Sequence, residues 1–174
     1  LTIAETLKQK RKLLQKKDFS FVEIIAVNDG STDSSQKLLK KFEKEIKIIN
    51  LKQNSGYGAA LKKGFIEAKG DLIAFFDADG TYPISEMPLL AQKLVIEKAD
   101  MIIGSRLSRQ NAMPSHRYYG NKFFGYFLSA LSNGTISDTA SGMRVFRKKL
   151  VSSLASLPNG LDFTPAMTSM LLNE

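Results

Sequence analysis

Short continuous apolar runs alternate along this chain with longer stretches of sparse, helix-spaced apolar residues. Ile3, Leu7, Leu13 and Leu14 stand among charged neighbours, which predicts an amphipathic helix over residues 3–17. Phe21 to Val27 is a run with the length and composition of a buried strand, interrupted by Glu23. Asn28-Asp29-Gly30-Ser31 ends it, and a helix is predicted from Ser34 to Glu45, capped by Asp33 or Ser34. Ile46 to Leu51 predicts a second strand. The loop Asn54-Ser55-Gly56-Tyr57-Gly58 then opens into a helix that reaches Ala68. After the Gly70-Asp71 turn, Leu72 to Phe76 forms a strongly apolar third strand with Asp77-Ala78-Asp79-Gly80 at its carboxyl end. A helix between Pro83 and Lys98 and a fourth strand from Asp100 to Gly104 complete the regular part.

Strands alternating with helices of this length predict parallel β-α-β units and an α/β sheet. Such sheets bind ligands at the carboxyl ends of their strands. The polar clusters after Val27, Phe76 and Ile103 all fall at those ends. From Ser105 the pattern becomes irregular, with Arg106, Arg109, His116 and Arg117 crowded together. A helix is predicted again over Asn121 to Leu131, carrying Phe123, Phe124, Tyr126, Phe127, Leu128 and Leu131. That stripe suits core packing or contact with a membrane or lipid chain.

Composition narrows the function classes. The 174 residues fit one domain with a sizeable core, and 43% hydrophobic with 24% charged residues is ordinary for a globular chain. There is no cysteine, hence no disulfide framework, thiolate metal site or cysteine nucleophile, and a reducing cytoplasm suits such a chain. No apolar run approaches the ~20 residues of a membrane-spanning helix, and the first residues lack a leader pattern. A net charge of +8 asks for an anionic partner. Lys8, Lys10, Arg11, Lys12, Lys16 and Lys17 share one predicted helix, either as a solvated face or as an attraction to a membrane surface. No aromatic-studded strand or recognition helix accompanies them, so nucleic acid is not the expected partner.

The chemistry concentrates in a few clusters. Asp77-Ala78-Asp79 brings two carboxylates within reach of one ion, a donor set suited to Mg²⁺ or Mn²⁺ completed by substrate phosphates. The same residues equally describe a solvated, strand-ending turn. Phe75 to Thr81 also mimics the D-x-D-G-T signature of haloacid-dehalogenase-type phosphatases, in which the first Asp is the nucleophile. Against that, beyond Asp100 the only acids are Asp138, Asp162 and Glu174, so a second acidic pair is missing. The stretch from Asn28 to Asp33, with Asp29 and Gly30, offers acceptors and backbone amides beside a helix N-terminus. An Asp there suits a nucleobase N–H or a ribose hydroxyl. Asn54 to Gly58 is a Gly-containing loop before a helix, able to approach phosphates, though it is not a full dinucleotide fingerprint.

Taken together, the sequence resembles the family 2 glycosyltransferases, particularly the branch of dolichyl-phosphate and polyprenyl-phosphate sugar synthases. The motifs are Val27 to Asp33, Asn54 to Ala60 with Gly64, Gly70-Asp71 leading to Asp77-Ala78-Asp79, Gly104-Ser105-Arg106, and Asp138 to Arg147. They keep the family's order and spacing over about residues 20–170. The resemblance implies a GT-A-type, Rossmann-like fold, a mostly parallel sheet flanked by helices. It implies one catalytic domain over 1–174, truncated at both ends, without the family's first strand and its nucleotide-pocket turn. Thr81 stands where relatives often carry Gln, which changes the ligands on offer to a metal.

The implied reaction is inverting transfer from a UDP- or GDP-sugar to a polyprenyl phosphate in cell-envelope synthesis. It would run with Mg²⁺ or Mn²⁺ on a peripheral protein at the cytoplasmic face of the membrane. Asp29, Gly30, Asn54, Gly58, Asp77 and Asp79 would bind the nucleotide-sugar, with Asp77 and Asp79 on the metal. Arg106, Arg117 and Arg144 would face the acceptor phosphate, and Asp138 would orient the acceptor or act as base. For Arg144 and Arg147, phosphate contact and structural pairing with Asp138 both remain open. The alternatives are transfer to a glycan hydroxyl, for which Asp138 would serve as the base, and a non-catalytic remnant that binds nucleotide.

Overall fold

The computed structural model describes residues 2–15, 17, 19–105 and 141–172. In chain order the helices and strands are α1 (Thr2–Gln15), β1 (Ile25–Asn28), α2 (Ser35–Lys40), β2 (Lys47–Asn50), α3 (Tyr57–Glu67) and β3 (Leu72–Phe75). They continue with α4 (Met87–Ile96), β4 (Met101–Ile103), β5 (Arg144–Arg147), α5 (Val151–Leu154) and α6 (Phe163–Leu172). A 3-10 turn, Ile84–Glu86, leads into α4, and another, Lys148–Leu150, leads into α5.

The strands divide into two groups. β1 and β2 pair in parallel, with Ile25 opposite Lys47 and Asn28 opposite Asn50. The other sheet runs β3-β5-β4, and β5 is antiparallel to both neighbours. β3 and β4 therefore share a direction but are separated by a strand that arrives from far along the sequence. Among the described residues β1 and β2 make the parallel ladder of the α/β arrangement, and β5 is its antiparallel strand. The first strand is also shorter than its apolar run, because Phe21 is 54% exposed and Glu23 turns aside to accept the Lys69 amide. α2 stops at Lys40 rather than Glu45, giving way to turns. At its start the Asp33 carboxylate accepts the Ser35 N–H at 2.9 Å, while Ser34 makes no capping bond. That Ser35 contact also holds the Asp33 carboxyl below its ordinary range.

The core lies beside the β3-β5-β4 sheet. Phe65, Ile73, Phe75, Phe146, Leu150, Leu154, Phe163 and Met167 form its centre. The rings of Phe65 and Phe146 meet edge-on, with centroids 5.0 Å apart, and Phe75 lies 5.4 Å from Phe65. Successive residues of α3 serve both sheets: Phe65 enters this aromatic cluster, while a side chain at Gly64 would press on Val27 of β1. Helix α1 reaches both halves as well. Its Thr2 hydroxyl donates to the Ala78 carbonyl at 3.2 Å, and Arg11 pairs with Glu45 at 2.9 Å. No helix among the described residues is long and apolar enough to cross a membrane.

Candidate active site

The loops that follow β1 and β3 are joined by the loop that opens α3. Asn28, buried at the end of β1, donates from Nδ2 to Asn50 Oδ1 at 3.0 Å and accepts the Ser31 N–H at 3.1 Å. This ties the ends of the parallel pair and turns the chain toward Asp29. Gly30 adopts φ +65° with its Cα against the Gln53–Asn54 backbone, where any side chain would collide. The two loops are thus in direct backbone contact.

The half-buried Asp29 closes that contact: Oδ1 accepts the Ser55 N–H at 2.7 Å, and Oδ2 accepts the Gly56 N–H at 2.9 Å. Asn54 Oδ1 shares the Gly56 N–H at 3.1 Å. One residue further on, Tyr57 donates its hydroxyl to Asp77 Oδ1 at 2.8 Å. Burial, reinforced by the Asp77 charge, pushes the Tyr57 phenol far above its ordinary range, so it remains a donor. The Gly58 and Ala59 amides, at the N-terminus of α3, both donate to the Asn159 carbonyl, at 2.7 and 3.2 Å. Those amides are therefore committed within the chain. The part of the loop expected to approach phosphates is instead the joint between Asp29, Asp77 and the segment before α6.

Asp77 and Asp79 follow β3 and differ in setting. Asp77 is half-buried, with Tyr57 on one oxygen and the Gly142 backbone against the other, so closely that a β-carbon at Gly142 would overlap the carboxylate. Gly142 is held in place by its N–H, which donates to the Tyr82 hydroxyl at 2.6 Å. Asp79 is exposed and accepts the Thr81 N–H at 2.9 Å, forming its own small turn. Among the described residues no group of three or more His, Cys, Asp or Glu side chains gathers to hold a metal. A pair of carboxylates, one oriented by its neighbours and one open to solvent, suits a hard divalent cation that completes its shell with water and phosphate oxygens. The residues present therefore fit Mg²⁺ or Mn²⁺.

Arg144 departs from its expected place. It is fully buried in β5, with Nε donating to the Ser141 carbonyl and an Nη to the Thr168 hydroxyl, each at 2.9 Å. A guanidinium enclosed this way does not present itself to an acceptor phosphate, so that expectation is corrected: the residue braces the 141–144 turn against α6. Arg147 donates to the Ala99 carbonyl at 3.0 Å and lies 3.6 Å from Asp100, a structural contact at the other end of β5. Arg106, Arg109, His116, Arg117 and Asp138, with the helix expected at 121–131, lie outside the described residues. Tyr57 and Gly142, which touch Asp77, lie inside the sequence motifs with no role of their own, and Tyr82 and Asn159, which hold their backbones, carry no sequence signal. The one signal was Tyr57, an aromatic residue set between two glycines.

Comparison with known proteins fits this arrangement. The model of Glycosyl transferase family 2 matches residues 1–154. The chain belongs to that family. A low-salt glycan biosynthesis hexosyltransferase, Agl6, of Haloferax volcanii is 32% identical over 82% of this chain and 35% of its own length. The dolichyl-phosphate beta-glucosyltransferase ALG5C of Trichomonas vaginalis is 30% identical over 80% of the chain and 44% of its own length. An undecaprenyl-phosphate 4-deoxy-4-formamido-L-arabinose transferase of Salmonella paratyphi B is 29% identical, over 85% of the chain and 46% of its own length. The chain thus spans less than half the length of these curated relatives. Among solved structures, glucosyl-3-phosphoglycerate synthase of Mycobacterium tuberculosis, crystallised with Mn²⁺, UDP and glucosyl-3-phosphoglycerate, superposes with a TM-score of 0.64. It is 19% identical, over 96% of this chain and 59% of that one. S. aureus TarS gives 0.55 at 20% identity, over 96% of this chain and 52% of that one. The architecture is accordingly the GT-A fold of family 2.

Proposed function

We propose that the chain carries the donor site of an inverting family 2 glycosyltransferase that moves a sugar from a nucleotide-sugar to a polyprenyl-type phosphate. The observation that carries this reading is the joining of Asp29 and Asp77 through consecutive residues of one loop. Asp29 takes the Ser55 and Gly56 amides, and Tyr57 takes Asp77. Acids at the ends of β1 and β3 then border one face, with Asp29, Gly30 and Asn54 toward the nucleoside and Asp77 and Asp79 toward the diphosphate. The similarity to dolichyl-phosphate and undecaprenyl-phosphate sugar transferases supports the acceptor class.

Asp77 and Asp79 would hold Mg²⁺ or Mn²⁺, which when bound supplies positive charge to the departing diphosphate. The acceptor phosphate oxygen is already anionic. It attacks the anomeric carbon from the face opposite the diphosphate, the bond from that carbon to the diphosphate oxygen breaks, and the nucleoside diphosphate leaves. Little base catalysis is needed, so positioning dominates. Arg106 and Arg117 are assigned by sequence to the acceptor phosphate, being permanently charged, bidentate ligands. With a hydroxyl acceptor, Asp138 would take the proton instead.

Peripheral contact at the cytoplasmic membrane face completes the reading, with the exposed Lys8 and Lys12 of α1 as candidates for the anionic surface. The deciding experiment assays transfer from UDP- and GDP-sugars to polyprenyl phosphate and, in parallel, to an oligosaccharide. The expected result is product on the lipid phosphate, lost in Asp77→Ala and in Asp79→Ala. Product on the oligosaccharide alone would move the acceptor to a hydroxyl. Nucleotide binding without turnover in every arm would leave only a binding role.

A further inference from the structure

Tyr57 belongs to neither acidic motif, yet it touches the one carboxylate whose orientation matters most to the donor site. We propose that Tyr57 is a positioning residue, fixing the Asp77 carboxylate for metal-assisted binding of the nucleotide diphosphate; this rests on the donor-site reading above. Its hydroxyl lies 2.8 Å from Asp77 Oδ1, and the ring is partly buried.

The backbone on either side of the ring is pinned independently. Gly56 N–H is held by Asp29 at 2.9 Å, and Gly58 N–H is held by the Asn159 carbonyl at 2.7 Å. Gly56 also sits at φ +99° with its Cα against Asn159, and Gly58 is packed against Pro158 and Phe163, so neither position admits a side chain. The ring is carried on a rigid mount, and its hydroxyl is delivered to Asp77 from a fixed direction. With Gly142 against the opposite oxygen, the carboxylate has little freedom to rotate. A carboxylate already oriented forfeits less conformational entropy when it takes up an ion. The same linkage runs from Asp29 through two peptide units to Asp77.

The test uses the full chain and measures UDP and GDP affinity by calorimetry, with and without Mn²⁺, in wild type and Tyr57→Phe. The variant removes a single oxygen atom, and its melting temperature confirms that it folds. The expected result is about a tenfold loss of the Mn²⁺-dependent enhancement, the scale of one hydrogen bond to a charged group. Metal-free nucleotide affinity should be unchanged. A general loosening of the loop would instead weaken both arms alike and overturn the proposal. Equal Mn²⁺ enhancement in wild type and variant overturns the role of Tyr57 while leaving the donor site standing. Absence of metal enhancement in the wild type overturns the donor-site reading and this inference with it.

Discussion

The two sheets of this protein are held by different forces. Beside β3-β5-β4, eight buried apolar residues form one cluster, which includes the fully buried Phe146 of β5. The β1-β2 pair contributes none of that cluster, and α2 beside it has no buried residue. What fixes the parallel half is polar: the Asn28–Asn50 bond, the two amides on Asp29, and the ion pairs of Glu67 with Lys47 and Lys63 at 2.7 and 2.9 Å. Apolar burial is insensitive to direction, whereas hydrogen bonds specify it. The antiparallel half thus carries most of the described apolar burial, and the parallel half is aligned by polar contacts at its strand ends.

Five substitutions probe this division. Phe146→Ala should be the most damaging, removing a ring at the centre of the cluster and costing about 3–5 kcal/mol. In urea denaturation, Ile48→Ala in β2, whose side chain is only partly buried, should cost far less. Equal losses would mean that the two halves share one core. Gly142→Ala comes next. Its β-carbon overlaps the Asp77 carboxylate, and the resulting displacement should cost about 1–3 kcal/mol and abolish the Mn²⁺ enhancement of nucleotide binding. Retention of that enhancement would show that the orientation of Asp77 is unimportant.

Asp29→Asn should have a smaller and local effect. Asn keeps one acceptor oxygen and turns its Nδ2 donor on the second amide, so one bond is weakened and the other lost. At about 1–2 kcal/mol this should speed hydrogen exchange at Ser55 and Gly56 while leaving β5 amides protected. Spread of the effect into β5 would argue against two separable regions. The mildest effect is expected from Glu67→Gln. Bonding to Lys47, then to Lys63, pulls the Glu67 carboxyl from 4.5 to about 2. A depressed carboxylate stabilises the fold above its unfolded value and loses that contribution as pH falls through its folded value. The melting-temperature gap between wild type and variant should therefore be steady above about pH 5 and close between about 4.5 and 2. Because these groups face solvent, the gap should also shrink in high salt.

Much of this arrangement is legible in sequence, for reasons that vary by element. β2, β3 and α3 follow from apolar spacing because each is an uninterrupted pattern bounded by turn residues. Asp29, Asp77 and Asp79 stand out because acids at strand ends break such a pattern. β5 does not announce itself: it is four residues long, begins and ends with Arg, and finds both partners far upstream. Charge ordinarily marks an exposed position. In Arg144 it marks the reverse, because a carbonyl and a hydroxyl enclose the guanidinium. The Tyr57–Asp77 contact is hidden for a related reason. It joins two elements whose separation only the folded chain sets.

The late position of β5 in the chain has a consequence for how the protein is made. Both β3 and β4 leave the ribosome well before the strand that separates them, so the partner described for each edge is synthesised after both. Nascent chains in that interval expose strand edges able to pair with the wrong neighbour. Because Gly142 precedes β5 and abuts Asp77, insertion of β5 also seats that carboxylate. Seating of Asp77 and closure of the β3-β5-β4 sheet are then one event, and a chain translated only as far as β4 has neither.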